Sequence, residues 1–145
     1  MVEYILDHLL LRRLSKLSHY LFCVTIKEQE VINMTHDLPL PMYKKLTVTF
    51  RVEPGCLGPD GVEHIEGFCK FAKKEVTVLD SDFIRWVITP RYDKALLETE
   101  YKTNNKRLDH DKAEKYLRVF GKELDDFEEH LQDKLSILID QYLGR

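Results

Sequence analysis

With 145 residues, the chain has the length of one ordinary domain, and we predict a single domain over residues 1–145. Hydrophobic residues make up 43% and charged residues 32% of the chain, a balance that supplies a core and excludes an intrinsically disordered protein. The formal net charge of −3 gives no overall attraction to nucleic acid or to an anionic membrane.

Cysteine usage indicates an intracellular protein. The chain has three cysteines, Cys23, Cys56 and Cys69, and neither their odd number nor their spacing fits a disulfide framework or a structural zinc site. The first eight residues carry acids where a secretory signal would carry lysine or arginine. No stretch approaches the roughly 20 apolar residues that cross a bilayer. We therefore predict a cytoplasmic protein that is not embedded in a membrane.

The N-terminal segment predicts a helix over residues 1–22, because its leucines recur at spacings of three and four residues. These leucines are Leu6, Leu9, Leu10, Leu14, Leu17 and Leu21. Such a helix can lie on a membrane surface or pair with a partner helix, but the favoured interpretation is that it covers this protein's own sheet. Residues 22–26 and 31–34 are then predicted to form a β-hairpin across residues 27–30.

The middle of the chain predicts several strands and one helix. The predicted strands are residues 46–52, 76–79, 83–89 and an edge strand at 98–103. The first is the clearest, because every second residue from Leu46 is apolar. The middle helix covers residues 61–73 and follows Asp60 as its N-cap, and Asn104-Asn105 is a predicted turn.

The last third of the chain predicts two helices. Asp109 or Asp111 caps the first of them, which ends near Gly121. The second carries apolar residues at nearly heptad spacing from Leu124 to Tyr142, and its other side is acidic. Together these elements predict an α+β fold. Its antiparallel sheet has four to six strands, on which an N-terminal helix, a middle helix and two C-terminal helices pack.

A glycine-rich loop precedes the middle helix. Gly55, Gly58 and Gly61 stand three residues apart, a setting in which glycine lets backbone N–H groups approach a phosphate. The loop matches neither consensus pattern for phosphate binding, and Pro59 removes one N–H donor. A tight turn between strand and helix explains the same glycines, and it is the favoured interpretation.

Cys56 lies in this loop and is the candidate reactive thiol. A nucleophilic cysteine needs a lowered pKa, supplied by a neighbouring base or by a helix N-terminus. His64 and His36 are conceivable bases. Cys23 and Cys69 lie on apolar faces, where a buried, unreactive thiol is usual.

The remaining titratable residues give no recognisable site for a metal or cofactor. The six histidines are scattered, and H-E-x-x-H is absent. Asp109-His110-Asp111 has Glu114 where a calcium loop needs glycine. We therefore predict no metal, no cofactor and no catalytic residue.

One group of residues combines arginine with aromatic side chains near a strand end. Arg85 and Trp86 lie in a predicted strand, Arg91 and Tyr92 follow it, and His36 is placed above them. Such a group can bind a carboxylate, a phosphate or a stacked base. The favoured interpretation instead puts Trp86 in the core and Arg85 in solvent.

Three functional hypotheses follow, in order of preference. The first is a non-enzymatic interaction protein, a homodimeric regulator, adaptor or chaperone with a protein partner, whose element order resembles that of the small acidic chaperones of bacterial type III secretion. The second is a small-molecule-binding domain or enzyme with its site near Arg91 and Tyr92. The third, least favoured, is nucleic-acid binding through a local basic patch. Its residues are Arg85, Arg91, Lys102, Lys106 and Arg107.

Overall fold

The computed structural model describes residues 38–145, which form a four-stranded sheet and three α-helices. In chain order the elements are β1 (Leu46–Val52), α1 (Gly61–Val76), β2 (Ile84–Pro90), β3 (Thr99–Thr103), β4 (Lys106–Leu108), α2 (His110–Val119) and α3 (Leu124–Leu143). Short 3-10 helices at Met42–Lys44 and Pro54–Leu57 precede β1 and α1. The helix predicted over residues 1–22, the hairpin predicted within 22–34 and His36 lie outside the described residues.

The sheet is mixed, so the prediction of an antiparallel sheet is wrong. Its strand order is β2-β1-β3-β4, and β1 pairs with β2 in parallel, whereas the other two pairs are antiparallel. The physical reason lies in the connection between β1 and β2. Because α1 carries the chain back to the end of the sheet where β1 begins, the next strand must run in the same direction as β1.

Two predicted strands differ from the structure. Residues 76–79 form no strand: Val76 is the last residue of α1, and the Thr77 N–H continues the helix by donating to the Lys73 carbonyl. Val76 is fully buried as the end of the helical apolar stripe, while Val78 is 74% exposed. The strand predicted at 98–103 does form, but it lies inside the sheet between β1 and the short β4 rather than at the edge.

The other predicted helices and strands of residues 38–145 are present, but the Asp60 side chain, predicted to cap the middle helix, makes no capping hydrogen bond. β1 has the predicted bounds, and the middle helix extends three residues beyond its predicted end. The Asp109 side chain caps α2 by accepting a 2.8 Å hydrogen bond from the Lys112 N–H. Gly121 has a φ of 73° just after α2, the left-handed conformation with which glycine ends a helix.

The core lies between the helices and one face of the sheet, here called the helix-covered face. On this face α3 reaches β2 through a stack of Phe127 on Trp86, and it reaches β3 through a hydrogen bond between Glu128 and Tyr101. The largest fully buried side chains are Phe68, Leu46, Ile65, Leu117, Leu124, Leu138, Val48 and Val76. Within residues 38–145, no helix is long and apolar enough to cross a lipid bilayer.

On each strand, the side chains that alternate with the buried ones point to the opposite face of the sheet. On β1 this face carries Thr47, Thr49 and Arg51, all partly exposed, so β1 alternates strictly between buried and partly exposed residues. Arg51 forms an ion pair with Glu100 of β3, with 2.7 Å between Nη2 and Oε2. The three described helices all belong to the helix-covered face, which leaves the opposite face polar and charged.

Candidate binding site

Trp86 occupies the point where β2 meets α3. Its indole is 6% exposed and lies on the Phe127 ring, with 5.5 Å between the ring centroids and 10° between the planes. The indole Nε1–H donates a 2.7 Å hydrogen bond to the Leu79 carbonyl. The Trp86 side chain is therefore held in one orientation by a strand, a helix and the turn that precedes the strand.

A cavity of about 380 Å³ opens beside this stack, and we call it the Trp86 cavity. This volume lies within the range of roughly 300–1,000 Å³ that is typical of ligand pockets. Its apolar lining, here called the floor, consists of the buried Trp86, Phe127 and Leu131 and of Leu79, which is 37% exposed. Its rim is polar and consists of Asp80, Gly121, Lys122, Glu123, Asp126 and His130. An apolar floor with a charged rim suits a ligand that has an apolar group and a charge.

The charges of the rim are predominantly negative. Three carboxylates, on Asp80, Glu123 and Asp126, face one lysine, Lys122. Lys122 Nζ lies 3.6 Å from Asp80 Oδ1, and Arg118 Nε lies 3.5 Å from Glu123 Oε2. Asp126 has no ion pair within the described residues. The rim therefore favours a cationic group on the ligand.

The turn before β2 shapes one wall of the cavity. Asp80 has a φ of 48°, the left-handed conformation, and its carbonyl accepts hydrogen bonds from the N–H groups of Phe83 and Ile84 at 3.1 and 2.9 Å. These two bonds fold the segment after α1 tightly into β2. They place the Asp80 carboxylate on the rim, next to Lys122, which lies between α2 and α3.

Of the five residues that the sequence grouped as a binding site, the structure describes four, and it does not bring these four together. Trp86 lies on the helix-covered face, and Arg85, its neighbour in β2, is exposed on the opposite face. Arg91 and Tyr92 follow the end of β2, and neither lines the Trp86 cavity. His36 lies outside the described residues.

Arg91 uses its guanidinium within the chain. Nη1 lies 2.7 Å from Glu53 Oε1 in an ion pair, Nε donates to the Leu96 carbonyl at 3.1 Å, and Nη2 donates to the carbonyls of Lys94 and Leu96. These bonds tie the loop after β2 to the residue that follows β1. Arg91 therefore stabilises the connection to β3, and four of its five N–H donors are already occupied.

Tyr92 is 63% exposed, and its hydroxyl donates a 2.7 Å hydrogen bond to Glu66 on α1. This hydrogen bond to a carboxylate raises the pKa of Tyr92, because it favours the protonated phenol. Tyr92 thus joins the loop after β2 to α1 at the surface. The predicted site at Arg91 and Tyr92 remains a prediction.

Cys56 is exposed and lies in the short 3-10 helix that precedes α1. A small cavity of about 160 Å³ beside it includes the carboxylates of Glu53 and Glu98, and no histidine or lysine of the described chain lines it. Cys69 lies buried in α1, and burial, with a smaller contribution from Glu66, raises the pKa of its thiol to about 11. The Cys69 thiol is therefore protonated and unreactive at neutral pH.

Two of the three loop glycines have a structural reason. Gly58 has a φ of 93°, which disfavours any side chain, and a Cβ at Gly61 would lie 1.7 Å from the Pro54 carbonyl oxygen. Only glycine allows the start of α1 to approach Pro54 this closely. These observations support the interpretation of the glycine-rich loop as a tight turn.

The segment that the sequence analysis rejected as a calcium loop forms a cluster of possible metal ligands at the start of α2. The possible ligand atoms of His110, Asp111 and Glu114 all lie within 4.8 Å of one another at the exposed surface. Glu114 also pairs with Arg118, with 2.8 Å between Oε1 and Nη2. A cation would have to compete with this arginine for the carboxylate.

Sequence reasoning missed most of the Trp86 cavity. Phe127 and Leu131 fall in the apolar stripe of the last predicted helix, and such a stripe indicates burial without showing which strand it contacts.

Comparisons with protein-family models, with characterised proteins and with solved structures found no match to the chain. The functional interpretation therefore rests on the geometry of this site.

Proposed function

We propose that the protein is a non-enzymatic interaction protein, of the regulator, adaptor or chaperone type, and that the Trp86 cavity binds its protein partner. The observation that supports this most is the combination of an apolar floor with a negatively charged rim in one cavity. Hot spots of protein interfaces have this arrangement, in which an apolar anchor fills a pocket and charged groups surround it.

The chemistry of the cavity indicates the kind of partner. Trp86 and Phe127, which are 6% and 7% exposed, form the apolar base of the cavity, and the 37% exposed Leu79 adds apolar surface that a large side chain of the partner can contact. Asp80 and Asp126 at the rim attract lysine or arginine next to that side chain. The partner segment is therefore an apolar anchor flanked by basic residues, exposed on another protein.

The state of the reactive groups supports a binding role over catalysis. The Cys69 thiol is buried and protonated, and the hydroxyls of Tyr101 and Tyr116 are engaged in hydrogen bonds that hold the fold together. Burial raises the pKa of both tyrosines, so these phenols also stay protonated at neutral pH. These three groups thus serve packing.

The proposal includes a cytoplasmic location and self-association. The free thiols of Cys56 and Cys69 are compatible with a reducing compartment. For self-association, α3 offers Ile137, which is 54% exposed on a helix whose remaining apolar residues face the core. A homodimer is tested by the mass of the native protein in solution.

The chain contains a single tryptophan, so its fluorescence reports on the Trp86 cavity alone. We expect N-acetyl Lys-Phe-Lys amide to change the intensity or wavelength of this emission in a saturable way. Peptides with Ser in place of Phe, or with Glu in place of both Lys, are the controls for the apolar anchor and for the charge. The emission should respond to neither control peptide, since each lacks one feature of the proposed ligand.

Two variants locate the binding. Asp126→Lys reverses a charge on the rim and should weaken binding roughly fivefold, the effect of losing an exposed charge pair and adding a repulsion. Asp125→Lys makes the same change one residue earlier, in the same first turn of α3, outside the cavity lining, and should bind as the wild type does. Equal losses in both variants, or no response to the peptide, would contradict the proposal. A response to small organic amines without one to the peptide would favour the small-molecule hypothesis.

A further inference from the structure

Three cations on three different strands lie in one line on the opposite face of the sheet. Thr47 of β1 is aligned with Arg85 of β2 on one side and with Lys102 of β3 on the other. Lys102 in turn pairs with Arg107 of β4. Residues directly opposite one another in a sheet share a face. We call Arg85, Lys102 and Arg107 the basic row.

The length of the basic row follows from the spacing of the strands. Adjacent strands lie about 4.8 Å apart, so roughly 10 Å separates the backbones at Arg85 and Lys102, and roughly 15 Å separates those at Arg85 and Arg107. One strand of nucleic acid rises about 3.4 Å per phosphate in a duplex. At this duplex spacing the basic row spans about four phosphates of one strand.

The charges of the basic row are available to a ligand. Arg85 and Arg107 are exposed, and neither has an ion pair with another residue of 38–145. Lys102 Nζ lies 3.1 Å from Glu100 Oε1, but its side chain remains 42% exposed. Glu100 also pairs with Arg51, so the strands of this face carry one carboxylate and four cations. The four cations are Arg51 and the three residues of the basic row.

Many acidic groups are concentrated on a different part of the fold, although Asp109 and Glu128 line a cavity next to Arg107. Helix α3, on the helix-covered face, carries six acidic residues and one lysine. These acids account for much of the negative net charge of the chain, and the total therefore conceals the basic row. A polyanion is repelled from α3 and attracted to the opposite face, which fixes the side on which it binds.

We propose that the basic row binds the phosphate backbone of a single nucleic-acid strand. The strand residues of this face within 38–145 include no aromatic side chain, because Trp86 and Tyr101 point to the helices, so bases have no ring to stack on. The contacts are then to phosphates and independent of base sequence. Thr47, at the centre of the row, offers a hydroxyl that can donate to a phosphate oxygen.

The same face is poorly suited to a membrane. Lasting attachment to a bilayer surface requires apolar side chains that enter the acyl region in addition to basic residues. Between the cations this face presents Thr47, Thr49 and Thr89, and its apolar residue Val87 is half-buried. A polar face with a single line of cations fits a single chain of phosphates better than a lipid surface.

The experiment is a fluorescence anisotropy titration with labelled oligonucleotides of about 12 nucleotides, one of DNA and one of RNA. We expect binding at about 20 mM salt and a slope of log affinity against log salt of about −2, the value for three phosphates on a single strand. Affinity should then fall about 100-fold between roughly 20 and 200 mM salt. Because the Trp86 cavity lies on the other face, this result is independent of the peptide titration.

The test variant carries Arg85→Gln, Lys102→Gln and Arg107→Gln together. Its matched control carries Lys70→Gln, Lys73→Gln and Lys74→Gln, which removes the same charge from exposed positions of α1. We expect the test variant to lose at least tenfold in affinity, together with the salt dependence, and the control to retain both. Urea unfolding of both variants checks that they are folded.

Three outcomes would overturn the inference. The first is the absence of salt-dependent binding to either oligonucleotide at about 20 mM salt. The second is an equal loss in the test variant and its control, which would show an effect of net charge alone. The third is binding to vesicles that contain phosphatidylserine, or to heparin, without binding to the oligonucleotides, which would assign the row to another polyanion.

Discussion

The two faces of the sheet share the same strands and have different physical roles. On β1, Leu46 and Val48 point to the helices and are completely buried, while Thr47 and Thr49 between them are partly exposed. Because side chains of a strand alternate in direction, one segment of sequence supplies both a core and a polar surface. The comparison indicates that most of the stability resides in the helix-covered face, and that the exposed charges of the opposite face can change at little cost to the fold.

The largest effect is expected from the helix-covered face. Phe68 of α1 is fully buried and packs edge-on against Tyr142 of α3, with 5.6 Å between the ring centroids. Phe68→Ala should lower the free energy of unfolding by about 3–5 kcal/mol, because it loses apolar burial and leaves a cavity. Urea denaturation measures the change. Thr49→Ala on the opposite face is the control, and a loss of similar size there would contradict the division between the faces.

Arg51 is where the opposite face does contribute to stability. Its side chain is 13% exposed, pairs with Glu100, and donates a 2.6 Å hydrogen bond to the Leu97 carbonyl. Arg51→Gln should lower the free energy of unfolding by about 1–3 kcal/mol, the usual cost of losing a hydrogen bond to a charged group. Arg85→Gln is the matched control on the same face, where no ion pair is lost, and should change stability by less than about 0.5 kcal/mol.

The ion pair between Arg51 and Glu100 also makes the free energy of unfolding depend on pH. The hydrogen bond from Arg51, followed by the contact with Lys102, holds the pKa of Glu100 below its usual value. A lowered pKa in the folded state means that the stabilisation is present above the unfolded pKa and is lost as the pH falls through the folded pKa. Below about pH 4.5, stability should therefore fall less steeply in Glu100→Gln than in the wild type. If plots of the free energy of unfolding against pH ran parallel for the two proteins in this range, Glu100 would not be the source of the pH dependence.

Much of the fold was predictable because its signals are local. The alternation of β1 and the cap of α2 depend on neighbours in sequence. The alternation was predicted correctly, and of the two predicted caps, Asp109 and Asp111, the structure has Asp109. The parallel pairing of β2 with β1 was missed because it depends on where α1 packs. Residues 76–79 were wrongly predicted as a strand because Val76 and Val78 alternate as strand residues do. Val76 is instead buried as the last residue of α1. Local pattern therefore predicted the elements better than their arrangement.

The candidate sites were predictable only in part, for the same reason. Arg85, Lys102 and Arg107 were grouped by their charge, and strand register now places them in one row. Arg91 was grouped with them by sequence, but Glu53 and backbone carbonyls of its loop occupy its donors. Long-range partners decide which charges are free, and a single sequence does not reveal those partners.

A smaller effect is expected at Tyr116, where α2 meets the start of β1. Its hydroxyl accepts a 3.0 Å hydrogen bond from the Leu46 N–H and lies 2.9 Å from the carbonyl oxygens of Lys44 and Phe83, to one of which it donates. Tyr116→Phe should cost about 1 kcal/mol, since the Leu46 N–H keeps a 3.0 Å bond to Phe83. Burial raises the pKa of Tyr116 to about 12. In an absorbance titration of phenolate formation, Tyr116→Phe should therefore lack one of the tyrosines that ionise at high pH in the wild type.

The smallest effect is expected in the hairpin between β3 and β4, which supports one end of the basic row. Asn104 and Asn105 have φ values of 48° and 62°, and two left-handed residues in succession form the tight turn that glycine favours at its second position. In Asn105→Gly the folded turn loses conformational strain, but the unfolded chain gains freedom, so the two effects nearly cancel. We expect a gain in the free energy of unfolding of no more than about 0.5 kcal/mol, measured by urea denaturation.

Asn105→Val is the control and should destabilise by about 1 kcal/mol or more, because a β-branched residue is strained at this φ. If the glycine variant instead lost stability on that scale, Asn105 would hold the hairpin through its side chain, and the opposite face would contribute more to the fold than its exposed cations suggest.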